Sequence, residues 1–264
     1  MKTLAAFVFV LLSLHTVLAA DRDIAPGGVL RVAYLGGNPA QAVRDSTGVI
    51  RGASADVARE LARRIAVPVE FKPLANPKAV IEAVTGGEAD IGFIAYAPER
   101  VGTVEFSQAY MLSGQSFLVL EESNIRTTAD VDRAGLKIAG GHADSISLFM
   151  KRKFKHATLS EISHDTAEIK RLLLAKEIDA FGANRQRLAN IVKESPGFRI
   201  LPDNLFGVPQ TIIVPRGKGE ALAAVNRFID DIRASGLLKK SVDASGVAGL
   251  EAAPGGSWTP SVPD

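Results

Sequence analysis

One arginine in the sequence is positioned to form a small-molecule site. Arg100 follows an apolar run, Ile91–Ala95, that begins directly after Asp90, and Pro98 lies between the run and the arginine. The apolar run predicts a buried strand, and an open α/β sheet binds its ligands in the crevice beyond the C-terminal ends of its strands. The alternative is a solvated arginine in the first turn of a short helix after Pro98.

The sequence contains none of the common motifs for catalysis or nucleotide binding. It has no Walker lysine loop, no dinucleotide glycine fingerprint, no His-Glu-x-x-His and no Gly-x-Ser-x-Gly. It has no cysteine, which excludes disulfides, thiolate metal ligands and cysteine nucleophiles. His142, His156 and His164 are scattered along the chain. We therefore expect no catalytic residue, no metal and no cofactor.

Composition and charge indicate an ordinary globular protein. Of the 264 residues, 47% are hydrophobic and 23% are charged, which is enough to form one large domain or two smaller lobes. The formal net charge is +2, from 31 basic and 29 acidic side chains. This nearly equal number of basic and acidic side chains gives no basis for nucleic-acid binding.

The N-terminus has the pattern of an export signal. Lys2 precedes an apolar segment, Leu4–Leu14, and small residues lead up to Ala20. This pattern predicts a signal peptide over residues 1–20, cleaved after Ala19 or Ala20, and the alternative is a buried core helix. Export and the absence of cysteine together predict a soluble protein of a bacterial periplasm.

Strand-like and helix-like segments alternate twice along the chain. The first series holds strands at Val29–Tyr34, Val67–Phe71 and Ile91–Ala95, with amphipathic helical patterns between them. A second series starts at Lys137, and Asp179 leads into an apolar run just as Asp90 does. We therefore predict two α/β lobes, each a mostly parallel sheet with helices on both faces.

Three more segments complete the sequence-based prediction. Ser116–Leu120 and Gln210–Val214 have strand patterns, and a long amphipathic helix follows the second of them. The tail over residues 251–264 is rich in proline and glycine, and we predict that it is disordered.

The order and spacing of many short segments resemble the bacterial extracellular solute-binding proteins of family 3, over about residues 29–249. The segments are Leu30-Arg31-Val32, Gly52 with Asp56-Val57-Ala58 and Leu61, Val67-Pro68-Val69-Glu70-Phe71, Gly87 with Ala89-Asp90-Ile91, Pro98-Glu99-Arg100, Phe106-Ser107 with Ala109-Tyr110, Ser113-Gly114-Gln115, Asp179-Ala180, and Ala223-Ala224-Val225-Asn226.

The resemblance implies a type II periplasmic-binding-protein fold with two lobes joined by two hinge strands. Lobe 1 is expected over residues 29–112 and 211–250, and lobe 2 over residues 113–210 with the hinge strands at its ends. Such proteins close on a small solute by hinge motion and dock transiently, as monomers, on an ABC permease in the inner membrane.

In lobe 1, the resemblance makes Arg100 the partner of a ligand carboxylate, which its planar fork can bind through two hydrogen bonds. The family's threonine-containing run before this arginine is replaced here by residues that include Ala95 and Tyr96. Their backbone groups and the Tyr96 phenol are the polar partners that remain, with a packed aromatic as the alternative for Tyr96. Asn38 and Asn76 replace aromatic residues that stack on the ligand in many members.

In lobe 2, Asn184 lies where the family often has an aspartate that pairs with the ligand's ammonium group. An amide cannot supply that negative charge. Arg185 and Gln186 follow and add donors, with a solvated Arg185 as the alternative.

The loop and helix start at His142, Ala143, Asp144 and Ser145 correspond to ligand-contacting positions of the family. Backbone N–H groups at a helix N-terminus bind carboxylates. Here Asp144 would repel an anion, so it could serve as a helix cap instead, and His142 could be a loop residue in water.

Two other functions are compatible with this resemblance. One is a periplasmic enzyme similar to cyclohexadienyl dehydratase, which needs an acid to protonate a leaving hydroxyl. Glu99, Asp144 and Glu168 are the candidates for that acid. The other is a soluble sensor that presents its ligand-bound form to a membrane receptor.

Overall fold

The computed structural model describes residues 23–36, 38, 41–142, 144–163 and 165–256, with only the backbone of Glu99. The predicted signal peptide and Ala143 lie outside these residues. No helix among the described residues is long and apolar enough to cross a membrane.

The described residues form thirteen strands and seven α-helices. The strands are β1 (Leu30–Leu35), β2 (Val43–Arg44), β3 (Ile50–Arg51), β4 (Val69–Leu74), β5 (Ile91–Ala95), β6 (Val104–Phe106), β7 (Met111–Leu120), β8 (Lys137–Gly141), β9 (Thr158–Ile162), β10 (Ala180–Asn184), β11 (Phe198–Ile200), β12 (Phe206–Pro215) and β13 (Leu250–Ala252). The helices are α1 (Ala53–Arg64), α2 (Pro77–Thr85), α3 (Ser145–Lys153), α4 (Thr166–Leu174), α5 (Arg185–Glu194), α6 (Gly219–Ala234) and α7 (Leu237–Ala244).

Two lobes share one hydrogen-bonded sheet, with the strand order β4-β1-β5-β12-β7-β10-β8-β9. In lobe 1 the strands β4, β1 and β5 are parallel, and in lobe 2 the strands β10, β8 and β9 are parallel. This arrangement confirms the predicted two-lobed α/β fold with a mostly parallel sheet in each lobe.

The lobes are joined by β7 and β12, which run antiparallel from the Met111–Gln210 pair to the Gln115–Phe206 pair. Beyond this ladder, β7 continues into lobe 2 against β10 and β11, and β12 continues into lobe 1 against β5 and β6. Both strands are ten residues long. The sequence pattern predicted only their apolar parts, because the polar residues of the hinge interrupt the hydrophobic run.

Lobe 1 has a helical layer on each face of its sheet. Val32 and Tyr34 pack into a core with α1, α6 and α7, while Ala33, between them, packs with α2 on the other face. This alternation follows from the two-residue period of a strand. The sequence of β1 therefore reads as almost continuously apolar.

Lobe 2 repeats this layering around the end of β7. Phe117 and Val119 pack with α3, and Leu118 packs with α4 and α5 on the opposite face. The helices of lobe 2 thus hold the end of β7 in place.

The two aspartates that begin the apolar runs have equivalent positions in the two lobes. The carboxylate of Asp90 accepts the backbone N–H of Arg31 at 2.8 Å, and the carboxylate of Asp179 accepts that of Lys137 at 2.7 Å. In return, the Asp90 N–H donates to the Arg31 carbonyl, and the Asp179 N–H donates to the Lys137 carbonyl. Each aspartate therefore fixes the start of its strand against the neighbouring parallel strand.

The predicted disordered tail requires a correction. Leu250–Ala252 forms β13, which pairs with the hinge strand β7 at residues 111–113. Ala253 is buried, and its carbonyl accepts a hydrogen bond from Arg233 Nε at 2.9 Å. The proline- and glycine-rich composition hid this short strand, and residues 257–264 lie outside the described part of the chain.

The aspartate pairs lead to a stability prediction. Asp90 also accepts from Arg31 Nε at 3.1 Å and Nη2 at 2.6 Å, so Asp90→Ala removes a buried partner of a guanidinium. We expect this variant to lose about 3 kcal/mol of unfolding free energy. Asp179→Ala, the matched control in lobe 2, should lose about 1 kcal/mol. Urea unfolding followed by circular dichroism measures both, and equal losses would contradict the assigned role of the Arg31 guanidinium.

Candidate functional site

A cavity of about 430 Å³ lies where the Asn38 loop of lobe 1 faces lobe 2. Its lining consists of Asn38, Thr166, Asn184, Gln186, Arg187, Asn190, Ile191 and Glu194. Four of these side chains are carboxamides, which can both donate and accept hydrogen bonds. One arginine and one glutamate add a charge of each sign. Such a lining suits a small polar solute.

Helix α5 supplies most of this lining. It begins directly after β10, where the Asn184 Oδ1 accepts the backbone N–H of Arg187 at 2.9 Å and so caps the helix. Leu188 on the same helix is fully buried in the lobe 2 core. Because this apolar face is fixed against the sheet, the polar face of α5 lies along the cavity.

The backbone of Asn38 is bonded to a buried glutamine, since the Gln41 N–H donates to the Asn38 carbonyl at 2.9 Å. Gln41 is fully buried, its Oε1 accepts the Leu35 N–H at 3.2 Å, and its Nε2 donates to Gln210 Oε1 at 3.4 Å. Gln210 belongs to β12, so the loop that carries Asn38 is bonded to a hinge strand. Gly52 packs against the loop with a φ of +127°, and a Cβ there would lie 2.6 Å from the Gln41 carbonyl oxygen.

Arg100 and Asn76 meet at a second cavity of about 620 Å³ in lobe 1. Arg100 ends a 3₁₀ turn, Pro98–Arg100, and its Nη1 donates to the Ala95 carbonyl at 2.8 Å. Asn76 caps α2, since its Oδ1 accepts the Ala79 N–H at 2.9 Å. The other lining residues are Pro77, Lys78, Ile81, Glu82, Thr85 and Thr103. All the lining residues named here belong to lobe 1, so Asn76 and Arg100 lie at a different cavity from Asn38, Asn184 and Gln186.

Ala95 and Tyr96 connect the end of β5 to the hinge. Ala95 is in register with Gln210, and the Tyr96 N–H donates to the Pro209 carbonyl at 3.0 Å. The Tyr96 ring packs edge-on against Phe106, with their centroids 5.3 Å apart. The ring therefore packs within lobe 1, and a ligand contact of the Tyr96 phenol stays a prediction.

The predicted loop of lobe 2 lies at the ends of β8 and β9. His142 is exposed, and its Nδ1 lies 3.9 Å from Glu161 Oε2, which also pairs with Lys151 Nζ at 2.9 Å. Asp144 occupies the N-cap position of α3, although its carboxylate does not bond to the first turn, and Ser145 is the first helical residue. None of the three is among the described residues that line either cavity.

The Arg185 side chain lies apart from those of Asn184 and Gln186, although all three were predicted to contact the ligand. Asn184 and Gln186 line the cavity between the lobes, whereas Arg185 donates from Nη1 to the carbonyls of Leu201 and Asp203 at 2.8 and 3.0 Å. Its guanidinium therefore lies against the connection that leads into β12.

Sequence reasoning missed five residues of the lining between the lobes. These are Thr166, Arg187, Asn190, Ile191 and Glu194. Four of them belong to α5, which was not predicted. The signal was present, because Asn184 is a good N-cap residue and Leu188, Ile191 and Val192 follow at helical spacing.

The described residues include no group of three or more His, Cys, Asp or Glu side chains that could hold a metal ion. Of the candidate acids, Glu168 lies in the first turn of α4 and its carboxylate accepts a hydrogen bond from the Ser163 hydroxyl. Asp144 is at the start of α3. The two acids thus belong to different helix starts of lobe 2.

Two curated relatives match the sequence of this chain over part of its length. The glutamine-binding protein of Geobacillus stearothermophilus is 27% identical over 171 residues, which cover 63% of this chain and 64% of that protein. The match therefore spans slightly less than two thirds of that relative. The ABC transporter glutamine-binding protein GlnH of Bacillus subtilis is 24% identical, over 72% of this chain and 71% of its own length.

Solved structures with the same fold include binding proteins and an enzyme ancestor. A binding component of an ABC transporter from Wolinella succinogenes, complexed with lysine, superposes with a TM-score of 0.66 at 24% identity, covering 83% of this chain and 95% of that one. An ancestral cyclohexadienyl dehydratase superposes with a TM-score of 0.57 at 25% identity, covering 85% and 95% of the two chains.

The family model with the description "Bacterial extracellular solute-binding proteins, family 3" matches residues 30–244. This match includes both lobes, both hinge strands and the residues that line the cavity between the lobes. The chain therefore belongs to the bacterial extracellular solute-binding proteins of family 3.

Proposed function

We propose that this protein captures a small, polar, carboxylate-bearing solute between its lobes and delivers it, as a monomer, to an ABC permease in the inner membrane. The observation that supports this most directly is the cavity lined by Asn38 from lobe 1 and by α5 from lobe 2. A solute bound there contacts both lobes, so it stabilises the closed arrangement over the open one.

The chemistry of the lining favours an amino acid with a polar side chain or a related organic anion. A carboxamide pairs well with another amide, because each has one acceptor oxygen and two donor hydrogens. Arg187 adds a cation for a carboxylate and Glu194 an anion for an ammonium group. The names of the two relatives, both glutamine-binding proteins, make glutamine the first probe to test.

We further propose that Arg100 is the carboxylate partner on lobe 1. Its hydrogen bond to the Ala95 carbonyl holds the guanidinium at the end of β5, next to the point where Tyr96 bonds to β12. Closure about β7 and β12 would bring this end of β5 towards α5. The lobe limits at residues 29–112 with 211–250 and at residues 113–210, and the contacts of Asn76, His142, Asp144 and Ser145, remain predictions of the same proposal.

Export of this protein from the cytoplasm is supported by its membership of an extracellular family and by the predicted signal peptide over residues 1–20. In this proposal the periplasmic protein has no catalytic activity. A dehydratase remains the second candidate, because an ancestral cyclohexadienyl dehydratase shares the fold at 25% identity.

The first prediction of this proposed function concerns the ligand. Protein that has been unfolded, stripped of ligand and refolded should be stabilised in a thermal-shift screen by one member of a set of amino acids, dicarboxylates and aromatic acids. A ligand at 100 times its dissociation constant adds about 2.7 kcal/mol to the stability of the native state. Glutamine and lysine are the initial probes.

Mass spectrometry of the same mixtures separates the two candidate functions. We expect each stabilising compound to be recovered unchanged. A product that forms only in the presence of the protein would overturn the transport proposal in favour of the enzyme, and no stabilisation by any compound would contradict both.

The second prediction concerns the two arginines. For the compound that stabilises the protein, Arg100→Ala should weaken binding by about 100-fold or more, because the loss of a charged, bidentate partner costs about 3 kcal/mol or more. Arg100→Lys should recover part of this loss, since lysine keeps the charge without the fork. Isothermal titration calorimetry measures both.

Two further variants complete the comparison. Arg187→Ala should also weaken binding, because Arg187 lines the cavity between the lobes. Arg227→Ala, an exposed arginine on α6, should leave binding unchanged and serves as the control. If Arg187→Ala abolishes binding while Arg100→Ala does not weaken it, the carboxylate partner is on lobe 2 and the assignment of Arg100 is wrong.

A further inference from the structure

Arg185 fixes the start of α5 to the chain segment that enters the hinge. Its Nη1 donates to the carbonyls of Leu201 at 2.8 Å and Asp203 at 3.0 Å, and its Nη2 reaches the carbonyl of Pro202 at 3.4 Å. Nη1 also lies 3.4 Å from Asn204 Oδ1. All four acceptors belong to the short connection between β11 and β12. One side chain therefore contacts four successive residues of the segment that becomes a hinge strand.

The same connection is also bonded to β7, the other hinge strand. The Ser116 hydroxyl, on β7, donates to the Asp203 carbonyl at 2.9 Å, and the Asp203 carboxylate accepts from the Thr128 N–H at 3.0 Å. Asn204 packs onto Gly114 of β7, where a Cβ would lie 2.6 Å from Asn204 Oδ1. The connection thus touches β7 at residues 114 and 116.

The C-terminal part of the chain also packs against Arg185. Gly249 has a φ of +75°, and a Cβ there would lie 2.6 Å from the Cβ of Arg185. The Gly249 carbonyl accepts the N–H of Gly114 at 2.7 Å, and the next residue begins β13 on β7. The stem of Arg185 is therefore enclosed between the hinge connection and a segment that follows the last helices of lobe 1.

We propose that Arg185 is a positioning residue that sets the angle between the lobes in the ligand-free protein and links that angle to the binding site. Its neighbours Asn184, Gln186 and Arg187 line the cavity between the lobes, while its own side chain is bonded to the connection that leads into the hinge strand β12. A change of hinge angle therefore moves the start of α5, and the cavity lining moves with it. The inference builds on the proposed function, but the hinge angle does not depend on which solute binds.

A guanidinium is required for this role because of its shape. Its planar fork presents several N–H donors in fixed directions, so one side chain can bond to several carbonyls of a turn at once. A lysine ammonium carries the same charge but lacks this fixed geometry. Arg185→Lys therefore tests the geometry of the contact separately from its charge.

Arg199 offers a matched control within lobe 2. It bonds to three carbonyls in the same manner, from Nη2 to Ser123 at 2.8 Å and Ile125 at 2.7 Å, and from Nε to Glu121 at 3.2 Å. These carbonyls follow the end of β7 that lies furthest from the ladder with β12. Arg199→Ala therefore removes a comparable clamp without touching the hinge.

The absence of cysteine from the sequence allows a direct measurement of the angle. Arg227→Cys on α6 and Lys153→Cys on α3 replace exposed residues, one in each lobe, and each accepts a spin label. Pulsed electron–electron double resonance on the ligand-free, full-length protein then gives the distribution of distances between the lobes. The measurement compares the labelled parent with its Arg185→Ala, Arg185→Lys and Arg199→Ala derivatives.

We expect Arg185→Ala to shift and widen the distance distribution, Arg185→Lys to do so to a smaller extent, and Arg199→Ala to match the parent. The proposal is overturned if Arg185→Ala leaves the distribution unchanged, or if Arg199→Ala shifts it equally. If Arg185→Ala does not fold, Arg185→Lys decides in the same way. Because no solute is added, a failure of the ligand screen leaves this test intact, and the two proposals can fail separately.

Discussion

The antiparallel ladder between β7 and β12 is the interaction on which the rest of the structure depends. It joins the sheets of two lobes that otherwise have separate cores. The ladder is nearly symmetric: Gln115 Nε2 donates to the Ser113 carbonyl and Gln210 Nε2 to the Val208 carbonyl, both at 3.3 Å, and Ser113 and Val208 are a register pair. These amides are buried, so their hydrogen bonds must be kept within the protein. These buried polar contacts hold the two strands in one register, whereas the apolar cores lie within the lobes.

Much of the fold could be predicted because each lobe depends on local patterns that the sequence displays. The repeated aspartate before an apolar run marked the start of β5 and of β10, and the structure gives the reason, since each carboxylate accepts a backbone N–H from the neighbouring strand. The start of the tail was mispredicted because β13 has no pattern of its own and exists only through its pairing with β7. Helix α5 was missed although its spacing predicted it.

The candidate site could be predicted only in part, since its geometry depends on contacts between distant segments. Asn38, Asn184 and Gln186 meet as lining residues of one cavity, and Asn76 and Arg100 of another. Neighbours in sequence have different surroundings: Arg185 bonds to carbonyls 16 and 18 residues further along the chain, while Gln186 lines the cavity. No local pattern distinguishes these two residues. The position of the Arg185 side chain is set by the connection into β12, whose path cannot be derived from a local sequence pattern.

The pairing of β13 has a consequence for how the molecule avoids self-association. At residues 111–113, β7 is bonded to β12 on one side and to β13 on the other. Without β13, this part of the central strand would present unpaired N–H and C=O groups, which can pair with the same edge of another molecule. Because β13 follows all the other strands of the described residues, this edge stays open until residue 252 is available. The protection of this edge against pairing with another molecule therefore comes only after both hinge strands have formed.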